Sequence, residues 1–314
     1  MSTTFKASLK RQLYELIMHV NKFEIGDDLL IFGDPRGGTT WLMELLGTIK
    51  GTILVDEPLH LRDGCLPAEL NFGWRQAIPR NAEWLAAKEA FEAMLNGKQL
   101  SLSALRHNGL TRILGGSRLV FKFTRGNALL PWLCQQFELT YSPIYLLRHP
   151  VAVASSQIRN FPTSSRFRVF EIPDTPYNEI YKEHSIFLQH LDSRLQQLVA
   201  LWCIHNYQTL AEPPNKWIKV HYEQLMLTPE TVLKAISESW GMPFPSKMFD
   251  NITVPSYSDV SHDLRRNKME QIEKWHGKMG NEELEKIQRI LDHFGITDYQ
   301  AHVIMPMHIS SWEI

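Results

Sequence analysis

Leu29-Leu30-Ile31-Phe32-Gly33-Asp34-Pro35-Arg36-Gly37-Gly38-Thr39-Thr40-Trp41 is the stretch on which the fold turns. Its first four residues are an unbroken apolar run, bounded by a glycine and short for a helix, so they read as a buried strand. From Thr39 to Ile49 the pattern reads as a helix. Strand, glycine-rich turn and helix are the arrangement in which backbone amides and a helix N-terminus hold phosphate. The spacing nearly matches the G-x-x-x-x-G-K-[ST] loop: Gly33 and Gly38 are correctly separated, and Thr40 takes the closing hydroxyl position. The lysine position holds Thr39, and a positive charge stands three residues earlier, on Arg36.

Outward from this loop, further apolar runs predict strands at Thr52–Val55, Leu119–Phe123, Ile144–Leu147 and Trp217–Val220. Helical periodicity lies between and after them, at Trp84–Leu95, Leu129–Phe137, Ser185–Leu210, Glu230–Trp240 and Glu282–Phe294. The alternation predicts an α/β fold, P-loop-like and three-layered, with a mostly parallel central sheet covered on both faces. No stretch rich in proline, glycine or serine divides the chain, so residues 1–314 are expected to form one domain. Leu9, Leu13, Leu16, Ile17 and Val20 recur at helical spacing and predict a leading amphipathic helix within residues 1–26.

Composition excludes several classes. Of 314 residues, 44% are hydrophobic and 21% charged, enough for a large core and too apolar for wholesale disorder. Lysine and arginine total 33 against 34 acids, a net charge of −1, so no global basic surplus points to nucleic acid and any anion must be held by a local site. Cys65, Cys134 and Cys203 are scattered, which excludes a disulfide scaffold or cysteine-rich zinc module and suits a reducing compartment. No apolar run approaches about 18 residues, so no membrane span is expected. A soluble, cytoplasmic protein is the expectation.

The strand ends limit the phosphate chemistry. A kinase or ATPase holds magnesium with the loop hydroxyl and a strand-end aspartate. The comparable strand here, Ile144–Leu147, ends in Arg148, a cation that repels magnesium and attracts a second anion. Ser156 follows eight residues later on a predicted helix, where its hydroxyl can join the Arg148 fork on a phosphate. Two anion sites without metal imply a nucleotide carrying phosphates at two separate positions.

On these residues the chain resembles the sulfotransferases that use 3′-phosphoadenosine 5′-phosphosulfate (PAPS). Pro35-Arg36-Gly37-Gly38-Thr39-Thr40-Trp41 is similar to that family's 5′-phosphosulfate loop, and Leu147-Arg148-His149-Pro150 with Ser156 to its 3′-phosphate motif. His221-Tyr222-Glu223-Gln224-Leu225 is similar to its later Y-E-x-L segment. The resemblance implies that the amides of Gly37, Gly38, Thr39 and Thr40 hold the 5′-phosphosulfate, with Arg36 as the loop cation that stabilises the breaking S–O bond. It implies Trp41, and with it Tyr222, against adenine, and Arg148 and Ser156 on the 3′-phosphate. The family's C-terminal basic loop has no close counterpart; Arg266, in Leu264-Arg265-Arg266-Asn267-Lys268, is the candidate. PAPS is thus the expected co-substrate, with no metal.

Sulfuryl transfer needs a positioned, deprotonated acceptor hydroxyl and stabilisation of the leaving phosphate. Small-molecule sulfotransferases place a histidine base in a K-T-H segment; here Lys122-Phe123-Thr124 keeps the lysine and puts Thr124 where the histidine would stand. Asp56-Glu57-Pro58-Leu59-His60 resembles the E-P-[L/V]-x-H segment of carbohydrate-type enzymes, and Phe121-Lys122-Phe123-Thr124-Arg125 a further segment of theirs. Glu57, in a partly desolvated cleft with a raised pKa, is the expected base, with His60 as the alternative and Lys122 as a further catalytic residue. Arg125 is a candidate for orienting acceptor or sulfate. Residues 61–118 and 157–200, rich in aromatics, are expected as acceptor-side insertions. The acceptor is a carbohydrate or another small or lipid-like alcohol, and the oligomeric state is open. Two rivals stand beside the sulfotransferase: a P-loop kinase or hydrolase, which Thr39 and the absent magnesium aspartate disfavour, and a non-catalytic PAPS-binding protein, which Thr124 permits.

Overall fold

A computed structural model describes residues 14, 18, 21, 23–162, 167–213, 216–257 and 268–308. Its centre is one sheet of parallel strands, β1 (Leu29–Gly33), β2 (Thr52–Asp56), β3 (Arg118–Thr124), β4 (Ile144–Leu147) and β5 (Ile218–His221), in the order β2-β3-β1-β4-β5. The strands are buried along almost their whole length because both faces are covered, which is why they read as continuous apolar runs rather than alternating ones. Leu30, Phe32, Val55, Phe121 and Tyr145 face one core; Leu29, Ile31, Leu54, Val120 and Ile144 face the other.

The first core is closed by α2 (Leu85–Leu95), α3 (Leu130–Gln136), α4 (Pro150–Asn160), α5 (Arg194–Ala211) and α8 (Asn281–His293). The second is closed by α1 (Thr39–Leu46), α6 (Tyr222–Leu227) and α7 (Pro229–Ser239). Every strand end on the carboxyl edge therefore opens the same way, and order reverses at β1, the place where open α/β sheets hold ligands.

The predicted helix Ser185–Leu210 is not one helix. A short turn at Ser185–Gln189 ends, and α5 begins anew at Arg194. Ser193 interrupts it: its hydroxyl accepts from the Gln196 amide at 3.2 Å and caps the new helix. The exposed edge of β2 is covered in a way no periodicity announces. Asn108 accepts from Leu54 N at 2.8 Å and donates to Leu54 O at 2.7 Å, mimicking a neighbouring strand. The predicted leading helix lies largely outside the described residues; Tyr14 and Met18 are helical and buried, and the Tyr14 hydroxyl donates to Asn108 O at 3.0 Å. No helix among the described residues is long and apolar enough to cross a membrane.

Candidate active site

The carboxyl edge of the sheet opens into a cleft of about 680 Å³. Residues beyond the ends of all five strands line it: Arg36 after β1, Glu57 after β2, Arg125 after β3, Arg148 after β4 and Tyr222 after β5. Among the described lining residues eight are lysine or arginine and one, Glu57, is acidic. A chain of net charge −1 thus concentrates positive potential in one place.

The loop after β1 is shaped by its glycines. Gly38 caps α1 with φ of 94°, and a Cβ there would meet the Tyr222 ring, 2.6 Å from Cε2. The first intrahelical bond is Leu42 N to Gly38 O, so the amides of Thr39 and Thr40 precede the bonded ladder and keep the orphan donors of a helix start. The Gly37 amide departs from expectation. It donates to Asp34 O at 2.8 Å, closing the turn that carries Arg36, and is not turned outward to a phosphate.

Arg36 and Arg148, 112 residues apart, form one wall. Arg36 Nε donates to Ser156 Oγ at 3.2 Å, and Arg148 Nη1 donates to Arg36 O at 2.8 Å. The Arg148 guanidinium lies over the Tyr222 ring, 4.3 Å from its centre. Arg36 therefore reaches the Ser156 side of the cleft, and the cation beside the closing threonine of the loop is Lys122, whose Nζ donates to Thr40 Oγ1 at 3.1 Å. His149 next door is structural: its Nδ1 accepts from Val151 N at 3.2 Å and its Nε2 donates to Gln300 O at 3.1 Å. Burial pushes its pKa down to about 3, so it stays neutral and caps α4.

On the opposite flank Asp56 is the hub. Lys122 and Arg106 pair with it; His107 Nε2 lies 3.0 Å away, and the Tyr257 hydroxyl donates to it at 2.9 Å. Burial would raise this carboxyl, but Lys122, Arg106 and Tyr257 outweigh it and hold the pKa below the usual range. Glu57, partly desolvated in the cleft wall, stands between two cations. Its Oε1 faces Lys122 Nζ at 3.7 Å and its Oε2 faces Arg125 Nη1 at 3.8 Å, because β2 and β3 run in register with Asp56 beside Lys122. Arg125 is stacked on Trp74, 4.5 Å from the ring centre. His60, also in the cleft wall, spends Nδ1 on its own turn, accepting from Asp63 N at 3.2 Å.

Beneath the loop, buried Asp34 accepts from Asn127 at 2.9 Å, Asn206 at 3.0 Å and Arg75 at 3.4 Å. Burial pushes its pKa up against the pull of Arg75. Arg75 also donates to His205 Nδ1 at 2.9 Å, and the Tyr181 hydroxyl donates to Arg75 O at 2.9 Å. Residues 61–118 and 157–200 thus meet each other and the base of the loop after β1 at one arginine.

No family model matches the chain, and no curated protein matches it. Solved structures are similar to it, three of them as follows. One is a sulfotransferase domain from the curacin biosynthetic pathway, 19% identical, covering 85% of this chain and 98% of that one with a TM-score of 0.45. Another is a sulfotransferase domain from the Synechococcus PCC 7002 olefin synthase, 17% identical, covering 85% and 94% with a TM-score of 0.46. The third is mouse sulfotransferase SULT7A1 complexed with PAP, 14% identical, covering 93% of each chain with a TM-score of 0.43. All three are sulfotransferases.

Arg36, Gly38, Thr39, Thr40, Trp41, Glu57, Lys122, Arg148, Ser156 and Tyr222 all line the one cleft. Arg266 lies outside the described residues. The cleft also contains what sequence reasoning missed: Arg106 and Tyr257 around Asp56, and Lys274 and Lys278 at the C-terminal side. Ser155, beside the expected Ser156, has a buried hydroxyl with no partner among the described residues. Only a consecutive Ser-Ser signalled it.

Proposed function

We propose that this chain is a sulfotransferase that moves the sulfuryl group of PAPS to a hydroxyl acceptor. The observation that carries the proposal is the meeting of the loop arginine with the strand-end arginine and Ser156 on one cleft wall. Arg148 stands where a magnesium-dependent enzyme would keep an aspartate. The residues fit such a co-substrate. A cradle that a Cβ would fill at Gly38, unpartnered buried hydroxyls at Ser155 and Thr124, and a buried Trp41 indole nitrogen without a partner among the described residues all face or border the cleft.

PAPS, when bound, supplies the sulfuryl group. Thr39 and Thr40 would offer amides to its 5′ end, and Arg148 with Ser155 and Ser156 would hold the 3′-phosphate. Trp41 and Tyr222 would border adenine, and Lys274 or Lys278 would add the C-terminal cation. Glu57 would take the acceptor hydroxyl proton on a carboxylate oxygen. Lys122 and Arg36 would offset negative charge as it grows on the leaving side. The acceptor is proposed to be a small-molecule alcohol entering between residues 61–118 and 157–200, and the reaction to need no metal.

Calorimetry in EDTA tests this. Adenosine 3′,5′-bisphosphate should bind, and adenosine 5′-monophosphate much more weakly. Arg148→Ala should weaken the bisphosphate by about 10- to 150-fold, the range of one charge-assisted contact. Equal affinity for the two nucleotides, or turnover that requires ATP and magnesium, would overturn the proposal.

A further inference from the structure

Arg125 is an arginine in want of an anion. Its side chain is 24% exposed, yet among the described residues its guanidinium donates no hydrogen bond; the nearest carboxylate, Glu57, stops at 3.8 Å. Burying a charge without hydrogen-bond partners is costly. The backbone adds to that cost, for Arg125 has φ of 70°, the left-handed region that a side-chain-bearing residue enters only when something holds it there. Its amide is fixed to Gly33 O at 3.0 Å. One face of the guanidinium is covered by the Trp74 ring, which leaves the forked N–H edge as the line of approach. Around it the other cations are already engaged: Arg75 with Asp34, and Arg106 and Lys122 with Asp56.

We infer that Arg125 is the specificity residue of the acceptor side, and that the acceptor is a hydroxy acid whose acidic group sits in the Arg125 fork while its hydroxyl faces Glu57. The inference rests on the sulfotransferase proposal. Glu57 Oε2 and Arg125 Nη1 are 3.8 Å apart, so one molecule touching both carries its hydroxyl and its acidic group only a few bonds apart. The phosphate loop already has Lys122 on Thr40 and Arg36 on Ser156, which leaves Arg125 to the other substrate.

The test uses the full chain loaded with adenosine 3′,5′-bisphosphate and titrated with matched probes: 3-hydroxydecanoate and 2-hydroxyphenylacetate, each against its methyl ester. The acids should bind about 10-fold or more tightly than the esters. Arg125→Gln should abolish that preference, and Arg125→Lys, which keeps the charge without the fork, should keep part of it. Bisphosphate affinity should be unchanged in both variants, which also reports that they are folded. Equal binding of acid and ester by the parent chain, no binding of either acid, or a preference that survives Arg125→Gln overturns the inference. So does a selective loss of affinity for PAPS but not for the bisphosphate, which would assign Arg125 to the sulfate. Failure of the parent chain to bind the bisphosphate at all would instead remove the sulfotransferase proposal beneath it.

Discussion

Replacing Gly38 by alanine should disable the loop through two separable effects. At φ of 94° an L-residue is strained, and the added methyl meets the Tyr222 ring, which is itself held by Arg148 at 4.3 Å from its centre. A left-handed backbone costs about 1–2 kcal/mol and overpacking about 1–3 kcal/mol, so Gly38→Ala should lose about 2–5 kcal/mol of stability. Urea unfolding should show a lower midpoint at an unchanged slope. Adding Tyr222→Ala removes the clash and leaves the strain, so a double-mutant cycle should recover about 1–3 kcal/mol as coupling between the two sites. Bisphosphate affinity should fall in the single variant because the ring and Arg148 move together. A Gly38→Ala protein within about 0.5 kcal/mol of the parent, the range of an inert surface change, would refute the reasoning. Zero coupling would refute the contact with Tyr222 alone.

Glu57→Gln should lower turnover by about 10²–10⁴-fold, the worth of a positioned base, with bisphosphate affinity nearly intact and a smaller effect from His60→Ala; the reverse ranking would exchange their roles. Arg36→Ala should reduce turnover at saturating PAPS more than it reduces bisphosphate affinity, and equal losses would make Arg36 a ground-state contact only. Asp28, buried with Oδ2 unpartnered among the described residues, has its pKa raised by burial to about 9. The folded state therefore keeps a proton that the unfolded chain loses near pH 4, and stability should fall as pH rises from about 4 to about 9. Asp28→Asn should flatten that slope and raise the melting temperature at pH 8; an unchanged slope would show that Asp28 does not cause it.

The sheet was legible because strands buried on both faces announce themselves as apolar runs, and β4 matches its predicted bounds while β1, β2 and β3 extend only a residue or two beyond theirs. The loop and Arg148 were legible because glycines and a strand-end cation carry local signals. Arg106, His107 and Tyr257 were not. They reach Asp56 across 50, 51 and 201 residues, and their placement depends on Asn108 clasping β2 and on the path of the chain after α7. The paired cations at Glu57 follow from the β2–β3 register, which no single segment encodes. The break before α5 was readable in principle, since Ser193 precedes a helical run, but the apolar periodicity across it masked the cap.

Arg36, Glu57 and Arg125 follow three adjacent strands, and each has a left-handed backbone, with φ of 69°, 47° and 70°. Glycine at any of the three would relax the chain, so the resting protein carries its charged rim against its own folding preference. Directed evolution toward heat resistance alone is then expected to enrich glycine or asparagine at these positions and to return robust proteins that have lost the chemistry. Any such campaign has to be selected for ligand capture in the same round, because at these three strand ends durability and purpose pull on the same dihedral angles.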